Sequence, residues 1–194
     1  MSSFEVPRKV LKLLSDFDEP WFIAGGWAID LFLKRVTRIH EDIEIAILRQ
    51  DQLALQGYLN GWDFEKVVPG QKMRREKWNQ QEWLDLPVHE IHAHNADRDP
   101  SELEILLNES SGNEWRFRRN LKITKPLSMI AMRSKDGIPY LNPEVVLLYK
   151  AKDPSARDEA DFEKTVQTLD RERKRWLKHA VALCHPGHRW LEIL

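Results

Sequence analysis

Two carboxylates separated by one residue mark the segment of the sequence most suited to chemistry. Asp42 and Glu44 open the run Asp42–Leu48, in which isoleucine alternates with acidic or small residues, as is typical of a β-strand. Side chains i and i+2 of a strand point to the same face, so these carboxylates lie side by side, with Cα atoms roughly 6 to 7 Å apart. Two acids on one face repel each other unless a cation lies between them. Because Mg²⁺ binds carboxylate and phosphate oxygens together, the pair predicts a magnesium site suited to phosphoryl or nucleotidyl transfer.

A glycine pair precedes these acids at the end of another apolar run. Trp21–Ala24 predicts a buried strand that ends at Gly25-Gly26, and Trp27–Leu33 predicts the helix behind it. Glycine lets backbone N–H groups approach a phosphate closely, and a helix N-terminus favours negative charge. Taken separately, a glycine pair is more often only a turn, and an acid pair is more often a solvated strand face. Their order in one strand–turn–helix–strand unit favours a phosphate site beside a metal site.

The rest of the chain supplies the elements that must position this unit. Helical spacing occurs at Pro7–Phe17 and Gln50–Leu59, and strand-like alternation occurs at Leu86–His92, Glu102–Leu107 and Trp115–Arg118. A turn is predicted at Asp97–Ser101.

The pattern becomes helical at Asn142-Pro143-Glu144, where a good N-cap, a first-turn proline and an acid predict a helix start. A second start is predicted at Asp153-Pro154, and the glycine and proline of His185–Gly187 end the last helix. We therefore predict an α+β fold, with an α/β domain at residues 1–141 and a helical domain at residues 142–194.

Composition narrows the class of protein. The 194 residues include 30 basic and 31 acidic residues, for a net charge of −1, which disfavours nucleic acid and membrane as partners. No apolar run approaches the roughly 20 residues of a membrane span, so we expect a cytoplasmic protein. The single cysteine, Cys184, excludes an internal disulfide and is interpreted as a small buried hydrophobe. The sequence gives no prediction of the oligomeric state.

Several of these segments together resemble one family. The sequence FIAGGWAIDL at residues 22–31, followed by TR-x-H-x-DIE at residues 37–44, is similar to the start of the aminoglycoside nucleotidyltransferases. The resemblance is closest to the 2″-O-adenylyltransferase group and its lincosamide-modifying relatives, in the superfamily whose founding fold is that of DNA polymerase β. Similarity continues at residues 115–119, 137–144, 147–152 and 158–162, and so covers nearly the whole chain.

The resemblance implies a mixed sheet flanked by helices, followed by a helical bundle. It implies Mg²⁺-dependent transfer of a nucleoside monophosphate, AMP by preference, from ATP or another NTP to a hydroxyl of a small acceptor. The implied acceptor is an aminoglycoside-like antibiotic, which we expect between the two halves of the chain.

The resemblance also implies a third carboxylate on a neighbouring strand. Glu104 is the first candidate and Glu102 the second, because both lie opposite the apolar face of Leu103 and Ile105. The alternative interpretation of Glu104 is a surface acid on a strand edge. Whether the third carboxylate binds the metal or acts as the base for the acceptor hydroxyl stays open. The family pattern has aspartate where this chain has Glu44, and the third acid is also glutamate.

Three further residues are candidates for binding the nucleotide. Arg38 binds either phosphate or a structural acid, and His40 is expected to orient its loop by hydrogen bonding rather than act as a base. Lys150 corresponds to a lysine that reaches the triphosphate in related enzymes; a solvated helix lysine is the alternative.

Other charged residues have plainer interpretations. Asp158 and Asp161 share a helix face and either hold an ammonium group of an amino sugar or pair with Arg157 and Lys164; we favour pairing. The histidines of the middle segment, interpreted as exposed or core residues rather than metal ligands, are His89, His92 and His94.

Two other functions remain open from the sequence. Glu44 in place of aspartate is compatible with a nucleotide-binding module that has lost turnover. A nucleotidyltransferase that modifies protein or RNA, as in a toxin–antitoxin pair, is the other alternative.

Overall fold

The computed structural model describes residues 4–71 and 74–194. Its first half contains the helices α1 (Glu5–Leu13), α2 (Gly25–Leu33) and α3 (Gln52–Tyr58). The strands in chain order are β1 (Trp21–Ile23), β2 (Glu44–Leu48), β3 (Asp63–Val67), β4 (Arg75–Lys77), β5 (Glu90–His94), β6 (Glu102–Ser111), β7 (Glu114–Arg116), β8 (Thr124–Pro126), β9 (Ala131–Arg133) and β10 (Pro139–Leu141). The helices α4 (Pro143–Lys150), α5 (Ala156–Val166) and α6 (Arg171–Cys184) follow.

The ten strands form one mixed sheet, as the resemblance implied. Its main path runs β4-β3-β5-β6-β2-β1-β10-β9, with β7 and β8 continuing from the far end of β6. The pairs β2–β6 and β1–β10 are parallel, and the other pairs are antiparallel. The strand β6, distant in sequence, therefore lies beside β2 at the centre of the sheet.

Alternating apolar residues bury one face of the central strands. Ile45 and Ile47 on β2 are 0% and 1% exposed, and Ile105 and Leu107 on β6 are equally inaccessible. Burying each such side chain contributes about 1.5–3 kcal/mol. Glu102 and Glu104 alternate along β6 with the buried Leu103 and Ile105, so they face the opposite side and the core determines where the acids point.

Several helices and strands begin at residues other than those predicted. The helix α2 begins at Gly25, two residues before the predicted start, and β2 begins at Glu44, so Asp42 precedes the strand. The predicted strand Leu86–His92 begins only at Glu90, since Pro87 has no N–H to donate to the sheet.

The helical part also differs in one detail. The start of α4 at Asn142-Pro143 is confirmed. The next helix begins two residues after the predicted Asp153-Pro154, because the Ser155 side chain and Asp158 cap its first turn reciprocally. Cys184 ends α6 and is half-buried against the core.

Buried side chains from both parts of the chain form one continuous cluster, which includes Ile23 and Ile105 as well as Leu147 and Phe162. The division at residues 141 and 142 therefore stays a prediction about folding units, and the first three residues lie outside the described ranges. Within residues 4–71 and 74–194, no helix combines the length and the hydropathy needed to cross a bilayer.

Candidate active site

The three predicted carboxylates belong to neighbouring backbone positions at one end of β2 and β6. The parallel register pairs Glu44 with Glu104, and adjacent strands lie about 4.8 Å apart. The ladder continues past this pair, because the Glu104 N–H donates to the Ile43 carbonyl at 3.0 Å. Asp42 is exposed and immediately precedes this point. Glu102, the second candidate, is 82% exposed and lies 3.7 Å from His94, so Glu104 fits the position of the third acid better.

The electrostatics of this cluster favour a bound cation. Burial raises the pKa of Glu44 to about 7, and the negative charges of Asp42, Glu104 and Glu90 act in the same direction, against the opposing charge of Lys150. Burial likewise raises the pKa of Glu104. A divalent cation among these oxygens would relieve both burial and repulsion, so the donor set fits a hard cation such as Mg²⁺.

The glycine pair leaves room for site side chains. Gly25 has φ +54°, and a Cβ there would lie 1.3 Å from Glu44 Oε2. A Cβ on Gly26 would lie 2.2 Å from Arg38 Nη2 and 2.7 Å from the His40 ring. The close approach that the glycines allow is therefore made by Glu44, Arg38 and His40 in this structure. The phosphate contact predicted for the glycines stays a prediction.

His40 is held in place by two contacts. Its Nε2 lies 2.6 Å from Asp30 Oδ2, with both side chains buried. Its ring stacks on Trp27 at a centroid distance of 4.3 Å. The Asp30 carboxylate also accepts hydrogen bonds from the backbone N–H and hydroxyl of Thr37. His40 is thus part of the packing that fixes the loop before Asp42, the geometry expected of an orienting residue.

Lys150, the last residue of α4, lies in an ion-pair network. Its Nζ contacts Asp158 and lies 3.1 Å from Asp161, whose carboxylate is also 3.5 Å from Arg38. Burial alone would lower the pKa of Lys150, but the hydrogen bonds and charges of the two aspartates keep this pKa above its usual value.

The predicted pairing of Asp158 and Asp161 with Arg157 and Lys164 is therefore wrong. Arg157 pairs with Glu41 at 3.0 Å instead, because the side chains that face Asp158 and Asp161 come from α4 and from the loop before β2. Arg38 contacts a structural acid, Asp161, which is one of the two contacts expected for it.

Sequence reasoning missed two residues of this site. Glu90 and His92 lie on β5 and share a face with Glu104, and His92 stands directly opposite it in the register. His92 was interpreted as an exposed or core histidine, whereas it lies between two glutamates. The i, i+2 spacing of Glu90 and His92 was the available signal. The pairing of β5 with β6 brings both residues to the site.

A groove of about 950 Å³ extends from the carboxylates over the strand ends. Seven of its lining residues are acidic and two are lysine or arginine. Asp63, Glu65 and Glu102 line it together with Asp42 and Glu104. All of its lining residues precede residue 105, so this groove lies on the sheet and not between the sheet and α4–α6, where we expected the acceptor.

A mixed sheet that brings three carboxylates beside a Gly-Gly helix start defines the chain as a nucleotidyltransferase. The sequence profile of the aminoglycoside-2″-adenylyltransferase family matches residues 7–164. The chain belongs to that family and is an enzyme of the nucleotidyltransferase class.

Solved structures share this fold. A crystal structure of ANT(2″)-Ia in complex with adenylyl-2″-tobramycin has a TM-score of 0.59 and 16% identity, covering 91% of this chain and 95% of that one. A solution structure of the antibiotic-resistance factor ANT(2″)-Ia has a TM-score of 0.58 and 18% identity, with coverage of 100% and 97%. The lincomycin-bound lincosamide antibiotic adenylyltransferase LnuA has a TM-score of 0.55 and 18% identity, with coverage of 82% and 94%. No curated protein sequence matches the chain.

Proposed function

We propose that the protein transfers a nucleoside monophosphate, AMP by preference, from an NTP to a hydroxyl of an aminoglycoside-like acceptor. One observation carries this proposal: the β2–β6 register sets Glu104 beside Glu44, next to Asp42. Membership of the adenylyltransferase family supports both the reaction and the preference for ATP. We also propose a cytoplasmic location and a small acceptor rather than nucleic acid, in keeping with the net charge of −1.

Asp42, Glu44 and Glu104 would hold Mg²⁺. The cation, when bound, supplies charge neutralisation at the phosphate oxygens. In the reaction the acceptor oxygen forms a bond to the α-phosphorus, the bond to pyrophosphate breaks, and the hydroxyl proton leaves. Glu104 lies where its carboxylate can bind the cation or accept that proton, and the raised pKa caused by its burial favours proton acceptance.

The triphosphate would lie against the start of α2. This helix has Ala24 as its N-cap, with no side-chain cap, so its first backbone N–H groups remain available to an anion. Arg38 lies over Gly26, and Lys150 is near enough to lower the pKa of Glu44 by its charge. We assign both cations to the departing pyrophosphate, for which they would exchange part of their contact with Asp161.

The acceptor would occupy the acidic groove. Aminoglycosides carry several ammonium groups, and the excess of carboxylates over lysine and arginine along the groove fits a polycation. Asp63 and Glu65 extend this acidic surface away from the metal-binding carboxylates, so they would position the acceptor without taking part in the transfer.

Pyrophosphate release tests the proposal. Each of the four NTPs is combined with Mg²⁺ and a panel of aminoglycosides and lincosamides, for the wild type, Asp42→Ala, Glu104→Gln and the exposed loop control Asp18→Asn. We expect release that requires one acceptor, persists in Asp18→Asn and is lost in the other two variants. Folded, ATP-binding protein that releases no pyrophosphate with any acceptor refutes the proposal. Release that requires added protein or RNA refutes the small acceptor.

A further inference from the structure

His92 stands between two carboxylates on the same face as the proposed transfer site. Its Nε2 is 3.0 Å from Glu90 Oε1, and its Nδ1 is 3.6 Å from Glu104 Oε1. One ligand atom from each of the three residues lies within 4.8 Å of those of the other two. The three side chains are only 33%, 16% and 26% exposed, in the order Glu90, His92 and Glu104. They therefore form a compact and partly buried set of possible metal ligands.

The two contacts of His92 differ in kind. At 3.0 Å, Nε2 is placed to donate a hydrogen bond to Glu90, which assigns the proton of the neutral ring to that nitrogen. The Nδ1 lone pair then faces the Glu104 carboxylate, and 3.6 Å is too long for a good hydrogen bond. Two ligands at about 2.0–2.2 Å from one metal ion stand at about this separation.

We propose that His92 Nδ1 and Glu104 form a second cation position selective for a divalent transition metal, with Glu90 orienting the imidazole. A carboxylate that holds the far nitrogen of a metal-binding histidine is a common supporting arrangement, since it fixes the tautomer and the ring orientation. Imidazole nitrogen suits first-row transition metals, whereas Mg²⁺ prefers oxygen. The nitrogen ligand therefore sets this position apart from the all-oxygen set of Asp42, Glu44 and Glu104.

The two positions share Glu104. Because Glu44 and Glu104 are register partners on adjacent strands, cations on either side of Glu104 would be close neighbours, as in two-metal sites where the ions are about 3.5–4 Å apart. The role of this position in nucleotidyl transfer rests on the proposed function, but the binding of a metal by His92 does not.

Pulsed electron paramagnetic resonance of Mn²⁺ added to NTP-free protein tests the inference directly. We expect ¹⁴N modulation from a bound imidazole, replaced by a ¹⁵N signal when the histidines are ¹⁵N-labelled. His92→Gln should abolish the modulation and weaken Mn²⁺ binding at least as much as the loss of a supporting residue, which costs about 10- to 100-fold. Asp42→Asn should retain the modulation, because Asp42 is outside this position.

His94→Gln is the matched control. His94 lies two residues along the same strand and face, also near a glutamate, but is 54% exposed. This variant should retain both the modulation and the Mn²⁺ affinity. Oxygen-only coordination in the labelled wild type, or equal Mn²⁺ affinity in His92→Gln, overturns the inference. If His92→Gln fails to fold, the nitrogen signal of Mn²⁺ in the labelled wild type still tests the inference. Since pyrophosphate release with Mg²⁺ is measured separately, failure here leaves the proposed function standing, and the reverse also holds.

Discussion

Replacing Gly25 by alanine should separate the stability of the fold from the placement of Glu44. At φ +54°, alanine adopts the left-handed conformation, which costs roughly 1–2 kcal/mol. The new methyl group would also lie 1.3 Å from Glu44 Oε2. That oxygen is the far end of a flexible side chain, so the carboxylate can swing aside at an additional cost of about 0.5–1.5 kcal/mol.

Activity should suffer far more than stability. A shift of about 1 Å in a catalytic group can reduce the rate about 100-fold, and the Glu44 carboxylate must move by at least that much. We therefore expect Gly25→Ala to lose about 100-fold or more in kcat for pyrophosphate release. Urea unfolding should show a loss of roughly 1.5–3.5 kcal/mol in the free energy of unfolding, the sum of the two costs above.

Two glycines supply controls. Gly112 has φ +55° but no neighbouring atom within 4 Å of an added Cβ, so Gly112→Ala carries the conformational cost with no displaced carboxylate. Gly57 lies in α3 in open surroundings, where alanine should stabilise the helix by about 0.5–1 kcal/mol. Activity in Gly25→Ala equal to that of Gly112→Ala would refute the reasoning, because Glu44 would then not act from its present position.

Two other predictions concern charged groups. The raised pKa of Glu44 means that its charged form opposes folding, so this destabilisation is absent below pH 4.5, develops between pH 4.5 and about 7, and is constant above that. In metal-free buffer at pH 8, the free energy of unfolding of Glu44→Gln should therefore exceed that of the wild type by on the order of 1–3 kcal/mol. At pH 4 the two proteins should be equally stable. A difference that does not change between pH 4 and pH 8 contradicts the assignment. Asp161→Ala leaves the partly buried cations Lys150 and Arg38 without this partner and should cost about 3–5 kcal/mol in urea unfolding. Arg157→Ala removes only an exposed pair and should leave the free energy of unfolding almost unchanged, so similar losses in the two variants would contradict the importance of burial.

Local patterns were sufficient to predict the central unit of the fold. The alternation of Ile43, Ile45 and Ile47 indicated that these side chains lie in the core, and the structure confirms this, although Ala46 and Leu48 on the opposite side of β2 are buried as well. The same rule applied to β6 oriented Glu104 correctly. The start of α4 followed from the order of asparagine, proline and glutamate. Each of these inferences depends on residues within one element, where the backbone geometry is fixed by the element itself.

The contacts that local patterns could not give are those between distant segments. Lys150 meets Asp161 and Arg38 only because α4, α5 and the loop before β2 converge. Glu90 and His92 reach the site because β5 pairs with β6. Strand order and register depend on how the whole core packs, so a residue can be assigned to a face before its neighbours on that face are known.

One row of register partners across the sheet contains both favourable and unfavourable pairs of charges. Register partners across five strands run in the order Lys77, Glu65, His92, Glu104 and Glu44. The first four alternate basic or imidazole groups with carboxylates, the arrangement that stabilises neighbouring strands. Only the last pair sets two carboxylates directly side by side, where like charges destabilise a sheet. Since Ile45 and Ile105 fix that register from the buried face, the repulsion persists in the folded protein, and binding of a cation there would remove it. The departure from favourable pairing thus falls at the position proposed to hold the metal ion.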